Sequence, residues 1–352
     1  MARLGFERFS SLYLWGLFIV VFGVWTPHLF LTVNNVHSVA SAQAIAAILS
    51  LAVLVPLVAG EFDLSVGATI NFTAVLAAQL QSVTHWSIAA AIAVSVLAGV
   101  LIGLVNGFFV VVLGVSSFIT TLGTTSIITA FTIIATGNEQ ATPPTSSAWS
   151  DITQYQIFGF QVVFLYMVVV AFLMWWFLAF TPAGRYLYAI GGNREAARLV
   201  GINVKGYTWL ALVMSATIAG IAGVLYSSLD GPSLTFGAAL LLPAFAGAFL
   251  GATQVRPGVF NVWGTLLAIY VLATGIQGLE FVTGVQWLSS MFNGVALVAA
   301  VSFAVWAQRQ RTHASKEAVG SRPATDPSTH DFQTGTSDSA AVDTARHPSG
   351  AT

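Results

Sequence analysis

Glu61 and Asp63, two carboxylates one residue apart in Ala-Gly-Glu-Phe-Asp-Leu-Ser-Val-Gly, stand between long apolar runs in a chain that otherwise avoids charge. Carboxylates at the edge of a membrane segment can relay protons or ions. An aspartate ahead of Leu-Ser-Val-Gly can equally cap the helix that follows. Asn71, Gln79, Asn106, Thr120, Thr121, Thr124 and Thr125 place uncharged hydrogen-bonding groups inside apolar runs. Such groups exchange donors and acceptors with the hydroxyls of a neutral solute without a fixed ionic preference, and they serve equally as bonds between helices. Asp63, Ser65, Asn71, Asn106, Thr121, Thr124 and Thr125 are the candidates for a weakly polar translocation path or gate, since a solute held tightly would not leave.

A second constellation lies at residues 181–208, where Arg185, Arg194, Glu195, Arg198 and Lys205 interrupt the apolar pattern. Asn193 is a good N-cap, Glu195 falls in the first turn where a carboxylate favours the helix dipole, and Gly201 is placed to end the helix. The expected element is a helix of about two turns with Ala196, Leu199 and Val200 on one face and Arg194, Glu195 and Arg198 towards another. So short a helix is marginal in water and needs a surface to dock on. Lipid headgroups suit its arginines; a cytoplasmic protein that pushes on it is the other candidate.

The remaining chemistry is narrowed by absence in the sequence. The only lysines, Lys205 and Lys316, do not complete a G-x-x-x-x-G-K-[ST] phosphate loop, and neither H-E-x-x-H nor G-x-S-x-G occurs. The chain is expected to be no enzyme and to hold no metal or cofactor. Cysteine is absent, so disulfides and thiolate ligation are excluded. The formal net charge of −1 points to no nucleic-acid partner.

The elements that must position these residues are membrane spans. Hydrophobic residues make up 56% of the 352 and charged ones 7%, against roughly 25% charged in soluble domains. No Lys or Arg occurs between Arg8 and Arg185. Ten spans are predicted: Leu12–Leu31, Val39–Ala59, Leu64–Leu80, Ile88–Val112, Phe118–Thr136, Val162–Phe180, Trp209–Leu229, Ala238–Ala252, Val259–Ile276 and Trp287–Ala307. With both termini cytoplasmic, Arg3, Arg8, the 185–205 cluster, Arg256, Arg309 and Arg311 all fall inside, while Glu139, Asp151, Asp230 and Glu280 fall outside, as the positive-inside rule asks. The fold class is thus an all-α polytopic bundle in the plasma membrane. Residues 1–308 form the transmembrane domain, and 309–352 a polar tail without the apolar residues for a core. The segment 137–159 reads as the one sizeable outer loop. Ala40-Ser41-Ala42 mimics a signal-peptidase site, but the apolar stretch before it is too long for a signal peptide, so a retained first span is expected. Gly99, Gly103 and Gly107 on one span, and Ala216, Ala219, Gly220 and Gly223 on another, form small-residue stripes suited to close helix packing.

Glu195-Ala196-Ala197 followed by Gly201 resembles the EAA-x-x-x-G signature of permease subunits of ABC importers. The longer stretch GRYLYAIGGNREAARLVGI, with Gly184 and Arg185 at its head, is similar to the ribose-type monosaccharide branch of that family. AGEFDLSVGA at 59–68 and VNGFFVVVLGVSSFITTLGT at 105–124 resemble two further blocks of the same branch. Glu61 departs by standing where that branch has glycine, no I-x-L-P follows Gly201, and the tail is longer. The resemblance implies a second permease copy or paralogue, an extracytoplasmic solute-binding protein, a sugar substrate, and a separate ATPase subunit holding ATP and Mg. That ATPase would dock through Gly184, Arg185, Asn193, Glu195, Ala196, Ala197 and Gly201. Nucleoside or autoinducer-like solutes remain alternatives, as does a proton-coupled secondary transporter using Glu61 and Asp63. A membrane-embedded scaffold is the third reading.

Overall fold

The computed structural model describes residues 10–302 except 286, 289, 300 and 301. The helices in chain order are α1 (Ser10–Trp25), α2 (Pro27–Phe30), α3 (Val33–Ala42), α4 (Ala44–Val58), α5 (Val66–Ser82), α6 (Ile88–Gly107), α7 (Ser117–Thr136), α8 (Ser147–Gln154), α9 (Val162–Phe180), α10 (Pro182–Gly192), α11 (Arg194–Leu199), α12 (Val204–Leu229), α13 (Phe236–Gly251) and α14 (Val262–Thr283). A further apolar helix, α15, covers Ser290–Ala299. One π-helical turn, Phe108–Val112, continues α6, and strands β1 (Gln156–Ile157) and β2 (Phe160–Gln161) form a two-stranded hairpin.

Among the described residues, six helical runs are long and apolar enough to cross a membrane: Val33–Val58, Ile88–Val112, Ser117–Thr136, Val162–Phe180, Val204–Leu229 and Val262–Thr283. The other expected spans differ in detail. The first breaks at Thr26-Pro27 into α1 and α2. The third and eighth are helices of 17 and 16 residues, α5 and α13. The tenth, Trp287–Ala307, is described only in part, and the tail at 309–352 lies outside the described residues.

Every residue of α4 is buried, which places it at the centre of the bundle. Around it pack α12, α5, α13 and α9, and α12 in turn lies along α6. The two small-residue stripes meet there. A Cβ on Gly99 would sit 2.8 Å from the Ala216 carbonyl oxygen, and one on Gly103 would sit 2.6 Å from Val213 Cα. Lipid supplies little hydrophobic drive between helices, so association in the bilayer relies on such close packing and on interhelical hydrogen bonds. Trp15 Nε1 donates to Thr274 Oγ1 at 2.9 Å and holds α1 on α14.

The two ends of the bundle differ in charge. At one end the connection 59–65, the segment 181–205 and the connection 252–261 come together. Gly191 abuts the Val58 carbonyl, and the Tyr188 hydroxyl donates to the Phe260 carbonyl at 2.7 Å. Burial pushes the Tyr188 phenol up to about 12, so it remains a donor at neutral pH. At the other end Ser82 Oγ donates to the Thr142 carbonyl at 3.0 Å, and Trp149 Nε1 to the Ser227 carbonyl at 3.2 Å. Basic residues thus gather at the first end, and Glu139, Asp151 and Asp230 belong to the second. The 137–159 segment is more ordered than a plain loop: α8 inserts Trp149 into the bundle, and Thr153 Oγ1 lies 2.8 Å from Ser228 Oγ.

Candidate functional site

The basic end carries the geometry that the sequence singled out. Pro182 stops α9, because proline cannot continue its hydrogen-bond ladder, and then opens α10 at its first position. Thr181 caps α10 by accepting from the Gly184 amide at 3.1 Å. Gly184 is structural in this chain: a Cβ there would meet the Phe177 and Leu178 carbonyls at 2.5 Å. Arg185 is exposed on the following turn. The sequence reading missed α10, although Thr-Pro is a recognisable start signal.

Asn193 ends α10 and caps α11, accepting from the Ala196 amide at 2.9 Å. Gly201 has φ +84°, the left-handed conformation that lets the chain leave the helix. At six residues, α11 is shorter than the two turns expected. Ala197 turns inward onto Ile190 and Val204, so it seats the helix instead of meeting a partner. Glu195, Ala196 and Arg198 are exposed, and Leu199 and Val200 are 86% and 76% exposed. Two aliphatic side chains presented on a helix fixed from behind make a knob for an apolar recess.

After a turn at Ala59–Gly60, residues 61–64 of the connection carry no secondary structure and cross the start of α7. Ser117, Thr121 and Thr125, four residues apart on one helix face, supply its backbone partners. Phe62 N donates to Ser117 Oγ at 3.1 Å, Leu64 N donates to Thr121 Oγ1 at 3.1 Å, and Thr125 Oγ1 donates to the Leu64 carbonyl at 3.2 Å. A backbone without secondary structure amid helices has no ladder of its own, so side chains must satisfy it. Ser117 was not among the expected residues; its four-residue spacing from Thr121 was the available signal. Asn106 Nδ2 donates to Ser65 Oγ at 2.9 Å. Thr124 hydrogen-bonds its own helix at the Thr120 carbonyl. Asn71 lies apart from this group and ties α5 to the start of α13, donating to Leu234 O and accepting from Gly237 N. The expected path residues are therefore buried, except the half-buried Thr125, and most are engaged in contacts within this chain.

Asp63 does not cap α5 directly, because Ser65 is the residue at the N-cap. The Asp63 Oδ1 accepts from Ser65 N at 3.0 Å and Ser65 Oγ at 2.6 Å, a local turn. Asp63 lies outside the spanning helices, and burial pushes its carboxyl above the ordinary range, against the opposing bonds from Ser65. A carboxyl with a raised folded value stabilises the fold below the unfolded value, and that contribution is lost as pH rises through the folded one. Asp63→Asn cannot ionise. Its melting temperature in detergent is therefore expected to exceed that of the wild type by a margin that widens as pH rises, measured by a pH series of thermal melts.

Glu61 is buried and forms an ion pair with Arg194, the first residue of α11. It is thus a structural link between two segments, not a free carboxylate beside Asp63. A cavity of about 690 Å³ opens here, lined among others by Glu61, Phe62, Ser117, Phe118, Arg194 and Lys205. Among the described residues no group of three or more His, Cys, Asp or Glu side chains could hold a metal ion.

A multi-pass helical bundle with a rigidly seated, outward-facing short helix at its basic end is the class of a membrane transport subunit driven from outside the bilayer. Residues 35–301 match the family described as "Branched-chain amino acid transport system / permease component", and the chain belongs to that family. The D-allose transport system permease protein AlsC of Escherichia coli (strain K12) is 25% identical over 297 residues, covering 84% of this chain and 91% of that protein. The ribose import permease protein RbsC of Haemophilus influenzae is 30% identical over 247 residues, 69% of this chain and 76% of that one. The autoinducer 2 import system permease protein LsrD of Photorhabdus laumondii is 27% identical over 292 residues, covering 80% and 86% respectively. No solved structure matches the chain. The expected reading as the permease subunit of an ABC importer is met, and with it a multi-pass place in the inner membrane and a transport role in which hydrolysis belongs to another subunit.

Proposed function

We propose that this chain carries a small neutral solute, a monosaccharide, inward across the plasma membrane, powered by an ATPase that docks on α11. The basic end faces the cytoplasm, since every Lys and Arg among the described residues lies there. On this reading the ten-span count and two cytoplasmic termini hold, a second permease copy completes the path, and a solute-binding protein delivers cargo at the acidic end. The observation that carries the reading is the exposed Leu199–Val200 pair on a helix braced by Ala197. A short helix pinned from behind moves as a unit when pushed, and its only routes inward are α10, α12 and the 59–65 connection. The named cargoes of the allose and ribose relatives favour a sugar.

The alternative of a proton-coupled carrier using Glu61 and Asp63 is disfavoured, because the chain belongs to a permease family and Glu61 is paired with Arg194. An autoinducer-like cargo keeps support from the LsrD relatives. Uptake into vesicles reconstituted with the chain and its co-purified ATPase decides among these. Labelled D-ribose or D-allose is expected to accumulate only with ATP at the ATPase face and to be unaffected by a protonophore. Collapse with the proton gradient, or uptake without any ATPase, would overturn the assignment; transport of autoinducer 2 but neither sugar would change the cargo alone.

A further inference from the structure

We propose that the Glu61–Arg194 ion pair is the strut that carries motion of the docking helix α11 into the 59–65 connection, which makes Glu61 a positioning residue of the transport cycle. The proposal rests on the reading of α11 as the ATPase contact. The two residues are 133 positions apart in sequence, yet they join the first residue of α11 to the connection that follows α4. The Arg194 guanidinium uses Nη1 for Glu61, while Nη2 donates to Thr208 Oγ1 on α12 at 3.3 Å. One side chain therefore ties three elements together at the basic end. Arginine's fixed fork of donors makes such a link directional, which a lysine would not reproduce.

The link is asymmetric. The Arg194 side chain is 49% exposed and the Glu61 side chain 9%. If α11 moves away, the guanidinium can turn to solvent, whereas an unpaired buried carboxylate is costly. Glu61 is therefore driven to follow α11.

What Glu61 would drag is defined by its neighbours. Gly60 on one side has φ +77° and lies against Gly191, 3.7 Å from the position its Cβ would take, a place where the backbone can pivot without a side chain in the way. Phe62 on the other side is 38% exposed to the cavity, with ring centroids 6.4 Å from both Phe245 and Phe118. Pulling Glu61 about the Gly60 pivot repositions the Phe62 ring at the mouth of the cavity, between α7 and α13. A discrete rearrangement of packed aromatic rings is how a small displacement becomes a two-state switch. The same connection leads on to Ser65 and α5, so one pull addresses both the ring and the helix behind it.

Spatial continuity alone does not establish coupling, so the test measures coupling itself. The full chain is purified with its ATPase as wild type, Glu61→Gln, Arg194→Glu and the reversed pair Glu61→Arg/Arg194→Glu. The expected result is that Glu61→Gln assembles with the ATPase and keeps its basal hydrolysis, but moves fewer solute molecules per ATP by about fivefold or more. The reversed pair is expected to recover most of that ratio, which assigns the loss to the ion pair itself, while the unchanged assembly and basal hydrolysis of Glu61→Gln separate coupling from mere stabilisation. Because the chain has no cysteine, Ser116→Cys at the cavity rim provides a second readout. Its rate of thiol labelling should change by about fivefold or more between nucleotide-free and ATP-trapped complexes in an otherwise wild-type chain, and stay constant with Glu61→Gln. A wild-type ratio in Glu61→Gln, or a labelling change that persists in it, overturns the strut while leaving the importer reading intact. If even the wild-type chain fails to assemble with an ATPase, the importer reading falls and the strut falls with it.

Discussion

Replacing Leu199 and Val200 together by aspartate is expected to abolish co-purification with the ATPase and ATP-driven uptake, while leaving the amount of chain in the membrane and its melting temperature close to wild type. The two halves of this expectation have different causes. Both side chains are largely exposed, so little internal packing is lost, and surface changes of this kind usually shift stability by no more than about 0.5 kcal/mol. The helix itself is held by the Asn193 cap, by Ala197 and by Gly201, none of which is touched. In a complex the balance reverses. Burying a Leu or Val side chain contributes about 1.5–3 kcal/mol each, and an aspartate in the same recess adds the cost of an unpaired desolvated charge. A combined loss of roughly 3–6 kcal/mol corresponds to about a hundredfold to ten-thousandfold in affinity. Affinity purification from membranes, with size-exclusion profiles of the detergent-solubilised chain, checks both halves. A stable complex in the double variant would show that α11 is not the contact.

The features of α11 were legible because each has a local cause. Asn193 caps, Glu195 sits at the favourable end of the dipole, and Gly201 accepts a positive φ; all three act within a few residues of themselves. Most spans were legible for the same reason, since one helix's apolar length is enough to demand a membrane. What failed were the properties that depend on a partner far away in the chain. Glu61 looked like a free carboxylate because nothing near it in sequence announces Arg194. Thr121 and Thr125 were legible as polar groups on a helix, but their role as a ladder for the 62–64 backbone requires knowing that this backbone lies against α7. The α8 helix hid in a run of Ser and Thr because its stability comes from Trp149, whose indole bonds the end of α12. Ala197 was grouped with the docking face by its motif, whereas the register of so short a helix turns it onto Ile190.

Gly223→Leu is expected to be severely damaging to the bundle, and Gly223→Ala to be damaging as well. A Cβ at this position would lie 2.0 Å from Thr73 Oγ1, 2.4 Å from the Ile70 carbonyl oxygen and 3.1 Å from the Ala74 amide nitrogen. The threonine oxygen could rotate away, at the loss of its bonds to the Thr69 and Ile70 carbonyls. The Ile70 carbonyl belongs to the backbone of α5 and can move only if the whole helix does. Relief therefore separates α12 from α5, and the same shift loosens α12 from α6, because a Cβ on Gly220, one turn away, would lie 3.3 Å from Gly99 Cα. Overpacking a fitted core costs about 1–3 kcal/mol for an added methyl-sized group, and a branched four-carbon side chain against backbone exceeds that. Gly123→Ala on α7 is the control, since no atom lies within 4 Å of its would-be Cβ. Thermal melts in detergent are expected to place Gly123→Ala near wild type, Gly223→Ala several degrees below, and Gly223→Leu without a cooperative transition. Equal melting of the two alanine variants would mean that α5 and α12 are not in this contact. The ordering also bears on transport: Gly223 sits on the contact that fixes α5, the helix continuing from the connection that Glu61 holds, so a surviving Gly223→Ala chain should lose uptake even where ATPase binding through α11 persists.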